Sequence, residues 1–206
     1  MKGELYENWP RRELFEFFSR VSDPFYSVTF RLDVTRLRAF CKARGLSFYY
    51  SLIWLSTKAF NDTEAFSYLL RDGELARLPE RRPSFTDLKP GAEQFHIVTM
   101  PAGDSLEAFC RAANEKSAAQ TVLIELSEEK DDLIFFSAVP WLDLTALTNE
   151  RDFDADDAIP RVTWGKYVER DGRLELGYSV EVNHRFIDGL HIGRFAERLQ
   201  ALIDAL

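Results

Sequence analysis

The chain is poor in the residues that build cross-links and metal sites, with two cysteines and three histidines among 206 residues. Cys41 and Cys110 each lie singly in an apolar, helical-looking stretch, so neither a disulfide framework nor a cysteine-based zinc site follows. Positive charge is also short: 26 basic residues against 34 acidic ones leave a net charge of −8, and there is no Lys/Arg block. Nucleic acid is thereby excluded as the main partner, because neutralising phosphates needs a basic face. No apolar run approaches the ~20 residues that span a bilayer, and the opening Met1–Tyr6 lacks a signal-peptide hydrophobic region. These absences point to a cytoplasmic protein with no membrane partner, whose partners are small molecules.

What is present is a core. Hydrophobic residues make up 46% and aromatics 14%, with 17 phenylalanines, a composition that excludes disorder. The length fits one domain over residues 1–206, burying roughly 70% of its unfolded surface.

Helical signals cover Asp33–Gly45, which ends on glycine, and Phe48–Phe60, which Ser47 caps and which is apolar almost all round, as for a core helix or a subunit contact. Phe66–Leu70 and Glu74–Leu78 flank Asp72-Gly73, the signature of a type I′ hairpin. A strand over Phe95–Met100, an amphipathic helix over Ser105–Gln120 and a buried strand over Leu133–Val139 follow. A strand from Arg161 to Glu169 leads through a second Asp171-Gly172 turn into strict alternation, with Leu174, Leu176, Tyr178, Val180 and Val182 on one face and His184 continuing it. A closing helix carries Ile192, Phe195, Leu199 and Ile203 at helical spacing. The alternation of helices and strands predicts an α/β fold. The acidic stretch from Asn149 to Asp157 reads as a loop.

His184 is the histidine best placed for chemistry. Near neutral pH an imidazole can take a proton from an alcohol and return it, and burial favours its neutral form. Taken alone, such a histidine is as readily a packed core residue. His184, Asp188 and His191 have the i, i+4, i+7 spacing of a metal site, but His184 belongs to the strand before the helix, which argues against one. His191 reads as structural.

The run Asn183-His184-Arg185-Phe186-Ile187-Asp188-Gly189 resembles the HxxxDG signature of the chloramphenicol acetyltransferase family. The likeness extends to Asn8-Trp9-Pro10-Arg11-Arg12-Glu13, to Asp72-Gly73-Glu74-Leu75, to Ser137-Ala138-Val139-Pro140-Trp141 and to Thr163-Trp164-Gly165-Lys166-Tyr167. It spans about Trp9 to Gln200. The resemblance implies a mixed β-sheet flanked by helices, a trimeric assembly, and acetyl transfer from acetyl-CoA to an acceptor hydroxyl without an acyl-enzyme. His184 would be the base, Ser137 the hydrogen-bond donor to the oxyanion, and Thr163 its support through a water. Asp188 would pair with Arg11 to hold the His184 segment. Tyr49, Trp141, Lys166 and Tyr167 would surround CoA, while Ser47 stands where many members have a lysine.

The acceptor side matches less closely. Phe17, Phe18, Tyr26, Phe85 and Phe95 would form an aromatic wall, with His96 in place of a small polar residue and Asn183 in place of a second histidine. Where chloramphenicol-modifying members have apolar pocket residues, this chain has Asn149, Glu150, Arg151, Asp154, Asp156, Asp157 and Arg161. Charged groups cannot face an apolar acceptor without partners, so either they point to solvent or the acceptor is more polar. Three readings follow: acetylation of chloramphenicol, the same chemistry on a more polar hydroxylated acceptor, or an idle scaffold that binds ligand. In the family, His184 of one subunit would face a pocket built mostly by its neighbour.

Overall fold

The computed structural model describes residues 3–152 and 154–206. Two short helices, α1 (Glu4–Glu7) and α2 (Arg12–Phe18), precede strand β1 (Phe25–Asp33). Helices α3 (Thr35–Arg44) and α4 (Phe48–Asp62) lead to the hairpin β2 (Tyr68–Arg71) and β3 (Glu74–Arg77). Strands β4 (Arg82–Asp87) and β5 (His96–Thr99), helix α5 (Leu106–Ala119), and strands β6 (Leu133–Val139), β7 (Arg161–Gly165), β8 (Val168–Arg170) and β9 (Arg173–Asn183) follow, and α6 (Gly189–Asp204) closes the chain. The sheet runs β1-β9-β7-β6-β4-β5, with β8 also paired to β9. β4, β6 and β7 are mutually parallel, and the other pairings are antiparallel. The mixed sheet flanked by helices agrees with the sequence expectation.

Local chemistry sets the element ends. Ser47 Oγ accepts the Tyr50 N–H at 3.3 Å and caps α4, a contact worth about 1 kcal/mol. Asp72 and Gly73 have φ of 51° and 77°, and Asp171 and Gly172 have 50° and 79°, as type I′ turns require. The strand expected from Arg161 to Glu169 breaks at Lys166-Tyr167 into β7 and β8.

Register divides the sheet into two unlike faces. Phe30, Tyr178, Trp164 and Ala138 are successive neighbours across β1, β9, β7 and β6, as are Val28, Val180, Val162, Phe136, Phe85 and Val98 across the whole sheet. This apolar face packs under α4, whose Leu52, Ile53, Leu55, Ala59 and Phe60 are at most 2% exposed. α4 is thus a core helix. One hydrophobic cluster joins residues from Tyr6 to Ile203.

The opposite face is polar. Thr29, Ser179, Thr163 and Ser137 are successive neighbours across β1, β9, β7 and β6, and Ser27, Glu181, Arg161 and Phe135 form the next row. The segment after β6 crosses this sheet closely: a Cβ on Gly165 would meet Leu142 O and Leu144 Cβ at 2.6 Å, and one on Gly177 would overlap the Leu144 backbone. Among the described residues no helix is long and apolar enough to cross a membrane.

Candidate active site

β9 ends at Asn183, and His184 opens the turn into α6. The imidazole lies between two rings, with Phe18 stacked at 3.8 Å and 22° and Tyr26 at 4.4 Å. Tyr26 Oη donates to Ile187 O at 3.2 Å, tying that ring to the same turn. Asp188 Oδ1 stands 3.2 Å from His184 Nε2. Arg11 grips the turn at several points: both terminal nitrogens bond the Asp188 carboxylate, with Nη2 to Oδ1 at 2.8 Å, while Nε donates to Arg185 O and Nη2 to His184 O. The expected Arg11–Asp188 pairing is therefore present, and the carboxylate also touches the imidazole.

Electrostatics follow from this packing. Burial lowers His184 below the usual imidazole range; Asp188 opposes the shift and the Arg11 charge reinforces it. Burial pushes the Asp188 carboxyl up, but the hydrogen bonds and charge of Arg11 outweigh it and hold it below the ordinary carboxylate range. His191 Nδ1 accepts the Asp188 N–H at 2.9 Å and closes a capping box at the start of α6. That lone pair is committed to the helix cap, so His191 is structural, as expected. Among the described residues no three His, Cys, Asp or Glu side chains converge on a metal position.

Ser137 and Thr163 are paired neighbours on the polar sheet face. Ser137 Oγ accepts from Thr86 Oγ1 at 3.3 Å, and Thr163 Oγ1 donates to Asn149 Oδ1 at 3.2 Å. Along β9, His184 lies beyond Ser179, the partner of Thr163, by five residues, or about 16 Å at the strand rise. Within one chain, then, the imidazole and the two hydroxyls do not share a reacting atom.

The charged segment 149–161 meets partners that the sequence reading does not include. Glu181 accepts from Asn149 N at 2.9 Å, Arg151 Nη2 at 2.6 Å and Ser27 Oγ at 3.1 Å. Its side chain is 5% exposed and that of Arg151 8%. Burial raises the Glu181 carboxyl, and the Asn149 and Arg151 hydrogen bonds more than reverse that. Arg161 pairs with Asp157 at 2.8 Å, and Arg185 with Asp156 at 2.6 Å. Asn183 Nδ2 donates to Ala155 O and Asp157 O. Within the segment, Arg151, Asp157 and Arg161 are largely withdrawn from solvent and face one another and Glu181, whereas Glu150, Asp152, Asp154 and Asp156 are exposed.

Two expected wall residues are corrected. Phe85 is 1% exposed and shares the helix-covered face with Phe136, on the side of the sheet away from Ser137. His96 pairs with Asp87 on that same side, and its Nε2 meets Ser117 Oγ of α5 at 2.9 Å. Both are packing residues. Phe17 and Phe95 are 61% and 52% exposed, and Phe17 packs edge-on to Phe18.

Trp141 is 71% exposed, and the Lys166 N–H donates to Leu142 O at 2.6 Å, which brings the backbone next to Trp141 onto that of Lys166. Tyr167 packs on Phe48 and accepts a hydrogen bond from Arg38 Nε at 3.0 Å. Arg38 is a cation that the sequence reading passes over. Tyr49 donates its hydroxyl to Thr86 O at 2.5 Å and packs on the buried Phe85 and Trp164.

This arrangement of sheet and helices is the fold of solved acetyltransferases. A solved chloramphenicol acetyltransferase superposes with a TM-score of 0.87 at 24% identity, covering 96% of this chain and 97% of that one. The cubic core of a pyruvate dehydrogenase multienzyme complex superposes at 0.66 with 20% identity, covering 93% and 88%. In sequence, chloramphenicol acetyltransferase 3 of Escherichia coli is 29% identical over 97% of this chain and 95% of its own length. The enzyme of Bacillus pumilus is 27% identical over 99% and 94%. The chloramphenicol acetyltransferase family profile matches residues 5–200; the chain belongs to that family and is an acyltransferase.

Proposed function

We propose that the protein transfers the acetyl group of acetyl-CoA to a hydroxyl of chloramphenicol, inactivating the antibiotic, in a ternary complex. The observation that carries this reading is the His184 turn: an imidazole packed against Phe18 and Tyr26, with Asp188 beside it and Arg11 holding Asp188. His184 takes the hydroxyl proton as the oxygen attacks the thioester carbonyl. Ser137 donates a hydrogen bond from its hydroxyl to the resulting oxyanion and keeps its proton. Because Thr163 donates to Asn149, its oxygen offers lone pairs to a bridging water, which keeps its second proton for the oxyanion. His184 then returns its proton to the sulfur as the C–S bond breaks. A positioned base supplies roughly 10²–10⁴ in rate and an oxyanion donor roughly 10²–10³.

The separation of about 16 Å along β9 favours a site shared between subunits of a homotrimer, with His184 of one chain over Ser137 and Thr163 of the next. The exposed Trp141 and Lys166, with the half-buried Tyr167 and Arg38, supply aromatic and cationic groups whose chemistry suits the adenine and phosphates of CoA. The working compartment in this reading is the cytoplasm, where acetyl-CoA is found.

The test is thiol release from acetyl-CoA by purified protein, with and without chloramphenicol, beside His184→Ala. Chloramphenicol-dependent release that the variant loses is the expected result. Release that persists in His184→Ala overturns the mechanism, and its absence with wild-type protein that binds CoA overturns the acceptor.

A further inference from the structure

We propose that the cavity between Trp9, the end of α4 and the first turns of α6 is a second binding site, for a monocarboxylate carried on a flat apolar body. The cavity holds about 520 Å³, within the roughly 300–1,000 Å³ of sites for drug-sized molecules. It lies on the helix-covered side of the sheet, where Phe195 of α6 packs on Phe60 of α4 and on Tyr178 of the apolar face. Ser137 and Thr163 belong to the opposite face, so the cavity is separate from the place proposed for acetyl transfer. Arg11 is common to both, since it lines the cavity while its donors hold the His184 turn.

Three side chains bring N–H donors without a partner to this cavity. Trp9 is only 6% exposed, yet among the described residues its Nε1–H has no acceptor. That donor is not sealed in the interior, since the one buried side-chain polar atom without a partner is Gln120 Oε1, and the opening that Trp9 lines is this cavity. His191 adds a second donor: burial lowers it below the usual imidazole range, so at neutral pH the ring is neutral, and because Nδ1 accepts the Asp188 N–H the proton sits on Nε2. Arg194, three residues on along α6 and therefore beside His191, is exposed and makes no ion pair or side-chain hydrogen bond among the described residues. The acceptors in the wall are already in use. Asp62 Oδ2 takes Arg198 Nε at 2.8 Å and Nη2 at 2.7 Å, Glu64 Oε1 accepts from Tyr68 Oη at 3.1 Å and lies 3.4 Å from Arg77 Nη2, and the Thr63 hydroxyl turns back to Ala59 O.

Donors without acceptors call for an anion, and the charge in the wall sets how much. Arg194 is the one cation of the lining without a carboxylate or carbonyl partner among the described residues, and the two oxygens of a carboxylate carry lone pairs enough for it, Trp9 and His191 together. A dianion would bring its second charge beside Asp62 and Glu64. Shape sets the remainder of the ligand. A carboxylate fills a small part of this volume, and Pro10, Ala65 and Tyr68 border the rest beside Trp9. The Tyr68 ring stands 5.4 Å from that of Trp9 at 38°, so a flat apolar group packs on an aromatic wall while its carboxylate meets the donors.

The experiment is calorimetric titration of the full-length protein with 2-naphthoate, alone and with saturating CoA and chloramphenicol, beside 2-naphthamide and inorganic phosphate. Wild type, Arg194→Gln and Trp9→Phe are compared, with folding checked by circular dichroism. Arg194 is on the surface of α6, so Arg194→Gln carries the test where Trp9→Phe fails to fold. The expected result is one naphthoate per chain, bound about tenfold more weakly by Arg194→Gln and about threefold more weakly by Trp9→Phe, which keeps an aromatic ring and loses the N–H. The naphthamide should bind at least about tenfold more weakly than the naphthoate, because it lacks the charge that pairs with Arg194. CoA and chloramphenicol should leave naphthoate binding unchanged. No saturable binding below about 10 mM, or affinity that Arg194→Gln leaves intact, overturns the site. Equal binding of the amide overturns the anion, displacement by phosphate overturns the apolar body, and displacement by CoA or chloramphenicol overturns the location. None of these readouts needs turnover, so failure here and failure of the acetyl-transfer reading are told apart.

Discussion

Arg11 Nη2 donates to Asp188 Oδ1 at 2.8 Å, and through that contact the start of α2 holds the turn on which His184 stands. Asp188 belongs both to this clamp and to the imidazole, so loosening the clamp moves the imidazole proposed as the base. Arg11→Ala is expected to lower kcat by tenfold or more with little change in KM for acetyl-CoA. Breaking a buried pair costs about 3–5 kcal/mol; the Asp188 side chain keeps 30% exposure, so a loss nearer 2 kcal/mol is expected in urea melts. Arg11→Lys should not rescue, since an ammonium cannot reach the carboxylate and two carbonyls together.

The lowered pKa of His184 sets the pH profile. A general base works unprotonated, so kcat/KM should rise with pH through a midpoint below the ordinary 6.5 and then level off. Removing Asp188, which raises that pKa, should move the midpoint lower still in Asp188→Asn. A midpoint above 6.5 in the wild type contradicts the burial argument.

If base and oxyanion donor come from different subunits, two dead chains can complement each other. His184→Ala and Ser137→Ala, each inactive by roughly 10² or more, are expected to regain measurable activity when co-refolded into mixed assemblies. No recovery in mixed assemblies verified by mass spectrometry contradicts the shared site.

Glu181 should govern acid stability. Its folded carboxyl lies below the ordinary 4.5, so it contributes stability in full above about pH 4.5 and loses it as the pH falls further. The wild type should therefore lose stability below that pH more steeply than Glu181→Gln, measured by chemical denaturation across pH 3–6. At neutral pH Glu181→Gln is expected to cost about 2 kcal/mol, because Arg151 loses its nearer carboxylate and keeps only Asp157 at 3.3 Å.

Local signals were the most legible in the sequence. Asp72-Gly73 and Asp171-Gly172 carry their turn type in their own backbones, and Ser47 and Gly45 mark helix ends. Strand β1 alternates Tyr26, Val28 and Phe30 against Ser27, Thr29 and Arg31 and could have been read the same way. β4 is masked by Pro83, which weakens a strand signal. The side of the sheet on which Phe85 and His96 fall depends on their register with Phe136 and Asp87, which pairing sets and composition does not show. The partners of Arg151 and Arg161 were equally hidden: Glu181 is one of many acidic residues until β9 is laid beside β7. The His184 turn was legible because its residues are contiguous, apart from Arg11.

The distance along β9 between His184 and the hydroxyls has an evolutionary consequence. In the proposed reaction the proton chemistry would reside in a turn fastened to the N-terminal helices, whereas the surface proposed to meet the acceptor is made by β6, β7 and the segment 149–161. Substitutions can accumulate in the second region, even exchanging apolar side chains for matched ions, without disturbing the first. A lineage of this fold can thus change what it acetylates while the residues that acetylate stay fixed.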